Sequence, residues 1–259
     1  MAAVADMIGK IKRYYRCTKS EIIGYIVSII ILSFIVSFAE WGKGAEIDLL
    51  AGLFNWFNAA LLFTLIFIIV NFAQKIAGLS VGYNVEYKVW TTGLLIGLLF
   101  AFVSRGRIWL LVPGGILLHH LAGHRLGHFR YGLGYFAQGM ISVAGTIALI
   151  TLAALFKIIN SFLVSTLLDK IILICVVMAI YDILPIPPLT GSKLFFGSRL
   201  VYVFLGSAII VAGILLLLDI SVLMAILGSI IIGVIIWLLY YLFFEEKIWR
   251  GPWPKNWLK

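Results

Sequence analysis

The chain has 259 residues, of which 63% are hydrophobic and 12% are charged, and its mean hydropathy is +1.12. Soluble domains carry about 25% charged residues, so this chain has too little polar surface to cover a water-soluble core. That excludes a soluble enzyme, a disordered tail and a disulfide scaffold, and it predicts an all-α polytopic membrane protein. The net charge of +9 is explained by basic loops that orient the helices, so we expect no nucleic-acid partner.

The N-terminal segment 1–21 predicts a basic amphipathic helix that lies on an anionic membrane surface. Its lysines and arginines lie between Lys10 and Lys19, among apolar residues that recur at helical spacing. The apolar run 22–38 follows. Its 17 residues exceed the length of an ordinary signal-peptide core, so we predict an uncleaved first transmembrane helix.

A second transmembrane helix is predicted over 49–72, followed by a polar connection over 73–89. The next two apolar runs, 90–103 and 108–118, are shorter than the roughly 20 residues that a spanning helix needs. We therefore predict that they form a re-entrant or β-hairpin element that is buried in protein, where non-helical backbone is tolerated at membrane depth.

The rest of the chain predicts four more transmembrane helices: 140–159, 171–184, 200–218 and 220–244. A loop rich in glycine, histidine and arginine precedes them, and a Pro/Gly loop over 185–199 divides them into two pairs. The prediction is thus about six transmembrane helices plus the re-entrant or β-hairpin element, in a single transmembrane domain over 22–244. A basic, Trp-rich cytoplasmic tail over 245–259 follows.

The distribution of charge predicts the orientation of these helices. With the N-terminus inside and the hairpin returning to its own side, Lys43, Lys157 and Lys170 lie outside, which leaves the other 17 of the 20 basic residues inside. This distribution satisfies the positive-inside rule. We therefore predict a multi-pass cell-membrane protein whose N-terminus and C-terminus are both cytoplasmic.

The most specific motif is D-I-L-P-I-P-P-L-T-G-S-K, which runs from Asp182 to Lys193. Pro185, Pro187 and Pro188 end a helix because proline supplies no amide donor. The run closely resembles the N-x-x-P-x-P-P-L-D-G motif of the site-2 proteases, the intramembrane zinc metallopeptidases. The resemblance covers about 55–200 and implies a site-2-protease-like core.

Three other segments carry the same resemblance. The A-G at 144–145 resembles the start of the family's A-G-P-x-x-N helix, with Thr146 in place of the proline and Leu149 in place of the asparagine. The A-Q-K at 73–75 resembles the A-Q-K that follows H-E-L-G-H in archaeal-type members. The segment 90–118 resembles the apolar stretch that leads to their P-G-A strand.

The resemblance implies a zinc site made by two histidines one helical turn apart and an aspartate, with a glutamate as general base. Counting back from A-Q-K, the two His positions fall on Leu65 and Ile69, and the Glu position falls on Ile66. The Asp falls on Thr190, and the Asn of the loop motif falls on Asp182. These replacements remove all the ligands and the base, which implies a catalytically degenerate member with no zinc or other cofactor.

Such a pseudoprotease is expected to bind membrane-inserted segments or a membrane partner without cutting them. Residues 107–118 of the hairpin would pair with an extended segment by strand addition. Asp182, the three prolines and Gly191 would form the loop that contacts the substrate or partner. The expected partners are membrane lipids and another transmembrane protein.

The histidines support an alternative, an active intramembrane metalloprotease. His119, His120, His124 and His128 fall in one short window, and H-L-A-G-H at 120–124 mimics H-E-x-G-H with Leu for Glu. In a helix, three of them would share one face and would suit zinc. Neighbouring glycines oppose a stable helix, neighbouring arginines would repel a cation, and the segment lacks the general base.

A further alternative is lipid or ion handling in a cavity around Asp182. It is the one acidic residue within a predicted transmembrane helix. Acidic residues are costly inside a membrane, so such a residue is a candidate functional residue. Its place three residues before Pro185 sets it near the interface, where water reaches it. Both a functional and a purely structural role are therefore expected alternatives for this carboxylate.

Overall fold

The computed structural model describes residues 2–42, 48–121 and 134–245. Its α-helices are α1 (Ala2–Tyr14), α2 (Lys19–Ser37), α3 (Leu49–Val81), α4 (Thr91–Val103), α5 (Tyr135–Asn160), α6 (Thr166–Asp182), α7 (Thr190–Gly197), α8 (Arg199–Leu217) and α9 (Val222–Tyr240). Its strands are β1 (Tyr83–Val89) and β2 (Gly114–His120). Short helical turns continue α2 over Phe38–Glu40 and α9 over Tyr241–Glu245.

Five helical segments in the described part of the chain are long and apolar enough to cross a membrane, which makes this a multi-pass membrane protein. They are Lys19–Glu40, Leu49–Val81, Tyr135–Asn160, Arg199–Leu217 and Val222–Glu245. They match five of the six predicted spans. The sixth, α6, has 17 residues and a length of about 26 Å, somewhat less than the roughly 30 Å of a bilayer core.

The prediction of a polar connection over 73–89 is wrong. Helix α3 continues to Val81 and ends at Gly82, which adopts a positive φ of 92° and donates its amide to the carbonyls of Gly78 and Leu79. Strand β1 begins at the next residue. The polar residues of this stretch suggested a loop. Lys75 and the strand find their hydrogen-bond partners in Glu21 and β2, which lie far away in the sequence.

The predicted β-hairpin element is present, but its strands differ from those expected. Strands β1 and β2 pair antiparallel, from Tyr83 opposite His120 to Val89 opposite Gly114. The segment 90–103, expected to form part of the hairpin, is instead the helix α4, which lies within the connection between the two strands. At 13 residues α4 is too short to cross a bilayer.

Helices α5 and α6 form the centre of the bundle. Over its most apolar stretch α5 is 56% buried, against 17% for Val222–Glu245 at the periphery. In α6 the buried side chains run along most of the helix, including Ile174, Cys175 and Val176 at 0% exposure or close to it. Because α6 is enclosed by neighbouring helices, it does not need the full length of a lipid-facing span.

A buried ion pair joins α2 to α3 and holds β1. Lys75 Nζ lies 3.0 Å from Glu21 Oε2, and the two side chains are 2% and 1% exposed. Lys75 also donates to the carbonyl of Arg16 at 2.8 Å. Glu21 accepts hydrogen bonds from the amides of Thr18 at 3.1 Å and Tyr87 at 2.8 Å. Each charge therefore meets an opposite charge and further hydrogen-bond partners, which a buried pair requires.

The side chain of Tyr87 adds a second attachment for β1. Its hydroxyl lies 2.7 Å from Ser28 Oγ and donates to the carbonyl of Pro113 at 3.0 Å. Its ring stacks on Tyr25 with the centroids 4.3 Å apart and meets Phe67 edge-on at 5.9 Å. Backbone and side chain of one strand residue thus bind the hairpin to α2 and α3.

The opposite end of the bundle carries its own polar contacts. Lys170 Nζ lies 2.6 Å from Glu40 Oε2, and Asn160 donates to Asp169 at 2.7 Å. Lys157 donates to the carbonyl of Leu216 at 2.9 Å, near the end of α8. A cation at a helix C-terminus satisfies carbonyls that lack partners within the helix.

We expect Lys75→Met to destabilise the protein much more than Lys170→Met. The first substitution leaves Glu21 buried without its cation, a loss of about 3–5 kcal/mol for buried pairs. The second breaks a partly exposed pair worth about 1 kcal/mol or less. Thermal unfolding in detergent measures both. Equal falls in unfolding temperature would contradict the central role of the buried pair.

Candidate functional site

The Pro loop, defined as residues 183–189, links α6 to α7. Within it the amide of Ile186 donates to the carbonyl of Leu184, and the amide of Leu189 donates to the carbonyl of Ile186, both at 2.8 Å. Gly191 packs so closely on the end of α6 that a Cβ there would collide with the carbonyl of Ile183. Glycine is therefore required where α7 begins.

Asp182 is held by threonines from two other helices. Thr146 Oγ1 on α5 donates to Asp182 Oδ2 at 2.5 Å. The hydroxyl and the backbone amide of Thr190, at the start of α7, also hydrogen-bond to this carboxylate. Two hydroxyl donors, from Thr146 and Thr190, thus surround the one carboxylate.

A small internal cavity of about 40 Å³ lies beside Asp182. At about 10–15 Å³ for each water centre, it has room for roughly three water molecules. Its lining includes the polar residues Asn71, Gln74, Asp182 and Thr190, the tyrosines Tyr25 and Tyr87, and apolar residues such as Leu149. The cavity is large enough for water or a small ion and too small for a peptide side chain of ordinary size.

The structure brings together some of the predicted site residues and separates others. Asp182 and Thr190 both line the cavity. Leu65 is 39% exposed on the outside of the bundle, Ile66 is fully buried in the hydrophobic core, and Ile69 packs against that core. None of these three lines the cavity.

The α3 residues that line the cavity are Phe67, Val70, Asn71 and Gln74. Counting back from the A-Q-K segment gives Leu65, Ile66 and Ile69. Val70, Asn71 and Gln74 each lie five residues after one of these positions. A shift of five residues rotates a helix face by about 140°, which explains why the counted positions point elsewhere. Sequence spacing alone could not reveal this rotation.

Gly145 allows α3 and α5 to approach closely at the cavity. A Cβ at this position would collide with the side chain of Gln74. Gln74 in turn donates to the carbonyl of Ser142 at 3.4 Å. The A-G pair at 144–145 therefore has a packing role here, whatever its origin.

The structure describes two of the four histidines. His119 and His120 are consecutive residues of β2, so their side chains point to opposite faces of the hairpin. His119 Nε2 lies 3.5 Å from Glu86 Oε2, and the ring of His120 lies 5.0 Å from that of Tyr83. His124 and His128 lie outside the described residues. Within those residues, no three His, Cys, Asp or Glu side chains come together as a metal-binding group.

One edge of β2 faces away from β1. The amide of Tyr87 is bound to Glu21 and not to β2, so Tyr87 and Ile116 form a pair without ladder hydrogen bonds. The amide and carbonyl of Ile116 therefore point away from β1. The ammonium of Lys193 on α7 donates to this carbonyl.

A groove of about 480 Å³ separates this edge of β2 from the Pro loop. We call it the edge groove. It is lined by Lys88, Val89, Trp90, Gly115, Ile116, Leu117, Pro187, Pro188 and Lys193. At Gly115 the strand comes so close to the loop that a Cβ would collide with the carbonyl of Pro188.

Sequence reasoning missed Lys193, Asn71 and Gln74. Lys193 was interpreted as a charge that sets orientation, because nothing in the sequence indicates that it reaches a strand 77 positions away. Glu21 was missed as well, although a signal existed for its local role. The T-x-x-E pattern from Thr18 to Glu21 forms a complete capping box at the start of α2.

Comparisons with protein-family models, with curated proteins and with solved structures found no match to this chain.

The free energy of unfolding should depend on the protonation of Lys193. Burial lowers the pKa of Lys193 to about 8, and the negative charge of Asp182 opposes this shift. Between that pH and the ordinary value of 10.5, the unfolded chain keeps a proton that the native protein has lost, so stability should rise with pH across this window. Below it, both states are protonated and the contribution is constant.

Thermal unfolding in detergent on either side of about pH 8 measures this effect, and Lys193→Met is the matched variant. The variant should lose the part of the pH dependence that Lys193 contributes, while the titration of tyrosines and other lysines is common to both proteins. An identical pH profile for the two proteins would show that the pKa of Lys193 is not lowered.

Proposed function

We propose that this protein is a membrane-embedded, catalytically inert relative of the site-2 proteases that holds an extended segment of a membrane partner in the edge groove. The observation that carries the proposal is the outward edge of β2, which faces the Pro loop across a groove of about 480 Å³. An unpaired strand edge is a template for an added strand, and main-chain hydrogen bonds supply the affinity of such complexes.

The relationship to site-2 proteases is supported by where the motif residues lie. Thr146, Leu149, Asp182 and Thr190 come from two segments that resemble the family motifs, and all four meet at or beside the internal cavity. On α3, Val70, Asn71 and Gln74 line that cavity with the i, i+1, i+4 spacing of an H-E-x-x-H helix.

The proposed lack of proteolysis follows from the chemistry of these side chains. Asn71 occupies the place of the general base under this spacing, and an amide does not accept a proton from water near neutral pH. Valine and glutamine stand where two imidazoles would bind zinc. In the described part of the cavity the one carboxylate is Asp182, and its oxygens are engaged by Thr146 and Thr190.

We further propose that both termini are cytoplasmic. Support comes from the basic residues, since Lys157 and Lys170 at one end of the bundle are bound to a helix carbonyl and to Glu40. Among the described residues, the end that carries α1, the hairpin and α7 holds nine lysines and arginines, from Lys10 to Arg199, whereas Arg105 and Arg107 flank Gly106, which packs on Phe38 and Ala39 near Glu40. This arrangement puts the edge groove on the cytoplasmic side.

The orientation predicts which engineered cysteines react with a membrane-impermeant maleimide in intact cells. With Cys17→Ser as the background, a cysteine at Gly42 should be labelled from outside, whereas one at Gly251 should be labelled after the membrane is permeabilised. Buried Cys175 should stay unreactive in both conditions. The reverse pattern, with Gly251→Cys labelled in intact cells, would contradict the proposed orientation.

Strand addition can be tested with a photo-crosslinking residue at Leu117, which lines the edge groove and is 41% exposed. The probe is a synthetic single-span peptide with an extended juxtamembrane segment that carries both acidic and basic residues, reconstituted with the protein in nanodiscs. We expect a peptide adduct from Leu117 and none from the control position Leu223, which is 70% exposed near the opposite end of the bundle.

Backbone methylation of the probe distinguishes strand addition from side-chain contact alone. N-methylation of alternate amides in one register should abolish the adduct, and methylation in the other register should preserve it, because alternate amides face the added edge. Equal crosslinking of both methylated probes, or no adduct with any probe, would contradict the proposal.

A further inference from the structure

The chemistry of the edge groove indicates which segments it accepts. The charged residues that line it are Lys88 on β1 and Lys193 on α7. No carboxylate lines the groove among the described residues, although Asp182 acts on Lys193 from the cavity side. The two lysines therefore give the groove wall a positive charge that faces an incoming chain.

Lys193 is already bound to a carbonyl that an added strand would need as a hydrogen-bond acceptor. Its ammonium donates to the Ile116 carbonyl, which points into the groove. A peptide amide that pairs with this carbonyl must displace the ammonium. The displaced cation then lies in a partly desolvated position, and a desolvated charge without a partner is costly.

We propose that the edge groove selects extended segments that carry an aspartate or glutamate side chain, with Lys193 as its counter-ion. This inference rests on the proposed function. An acidic residue gives Lys193 a partner in place of the Ile116 carbonyl that the added strand takes. Lys88 adds a second cation at the groove wall. A neutral segment gives Lys193 no partner in place of the Ile116 carbonyl and leaves it with Asp182 as its counter-charge among the described residues, and a basic segment adds repulsion between like charges.

Two of the chain's own segments outside the described residues have the wrong charge to occupy the groove, and the third, 43–47, balances Lys43 with Glu46. Residues 122–133 contain arginines and histidines and no acid, and residues 246–259 contain Glu246 against four lysines or arginines. An anionic lipid would match the lysines but not the strand edge, because a phospholipid lacks a repeating pattern of amide donors and carbonyl acceptors. The favoured occupant is thus an acidic extended segment of another protein.

Three matched peptide probes test the selection, with Leu117 again carrying the photo-crosslinking residue in nanodiscs of zwitterionic lipid. The probes are identical single-span peptides with Asp, Asn or Lys at the centre of the extended segment. We expect the Asp probe to bind at least about tenfold more tightly than the Asn probe, which corresponds to about 1.4 kcal/mol, and the Lys probe to bind weakest.

Charge reversal provides the decisive variant. Lys193→Glu should invert the order, so that the Lys probe binds better than the Asp probe. Because this variant places a second carboxylate near Asp182, which opposes folding, Lys88→Glu on the exposed part of β1 serves as a second reversal, with a smaller change in the same direction. The thermal unfolding of each variant identifies loss of structure.

The outcomes separate the two proposals. Equal crosslinking of the Asp, Asn and Lys probes overturns the selection for acidic segments and leaves strand addition standing. Absence of any peptide adduct overturns both. A probe signal that disappears when anionic lipid is added, with no dependence on peptide charge, identifies the groove as a lipid site and also overturns the selection.

Discussion

The position of the hairpin depends on how one buried charge is neutralised inside an apolar bundle. An unpaired ammonium at Lys75 would cost several kcal/mol, so the fold must bring Glu21 to it and hold α2 and α3 at matching depths. The second oxygen of Glu21 binds the amide of Tyr87 and thereby attaches β1 to α2. A single ion pair consequently sets the relative positions of two helices and a strand.

This attachment decides which strand edge borders the edge groove. Glu21 occupies the outer edge of β1 at Tyr87, so the edge at the groove belongs to β2 and faces the Pro loop. There a second lysine, Lys193, satisfies a main-chain carbonyl at Ile116. The two lysines differ in setting: Lys75 is enclosed and paired with a carboxylate, whereas Lys193 borders the edge groove and contacts a main-chain carbonyl.

Local patterns predicted much of the fold and some of the site. Five predicted spans correspond to helices, and three of the motif segments meet around Asp182. The strand β1 carried a readable signal in its alternating sequence, since Val85 and Tyr87 are buried while Lys88 is exposed. Hydropathy alone did not indicate this strand, because polar residues alternate with the apolar ones. The positions that were reached by counting along α3 do not line the cavity, because a shift of five residues rotates a helical face by about 140°.

The sequence by itself determined that this is a multi-pass membrane protein and where the Pro loop interrupts it, because hydropathy, helix length and proline geometry are local properties of the chain. Only the tertiary structure decided which residues share the cavity and which strand edge is accessible. Those outcomes depend on contacts between distant residues, such as Glu21 with Lys75 across 54 positions and Lys193 with Ile116 across 77. No local pattern encodes such contacts, since they arise when packed helices bring charged groups to the same depth.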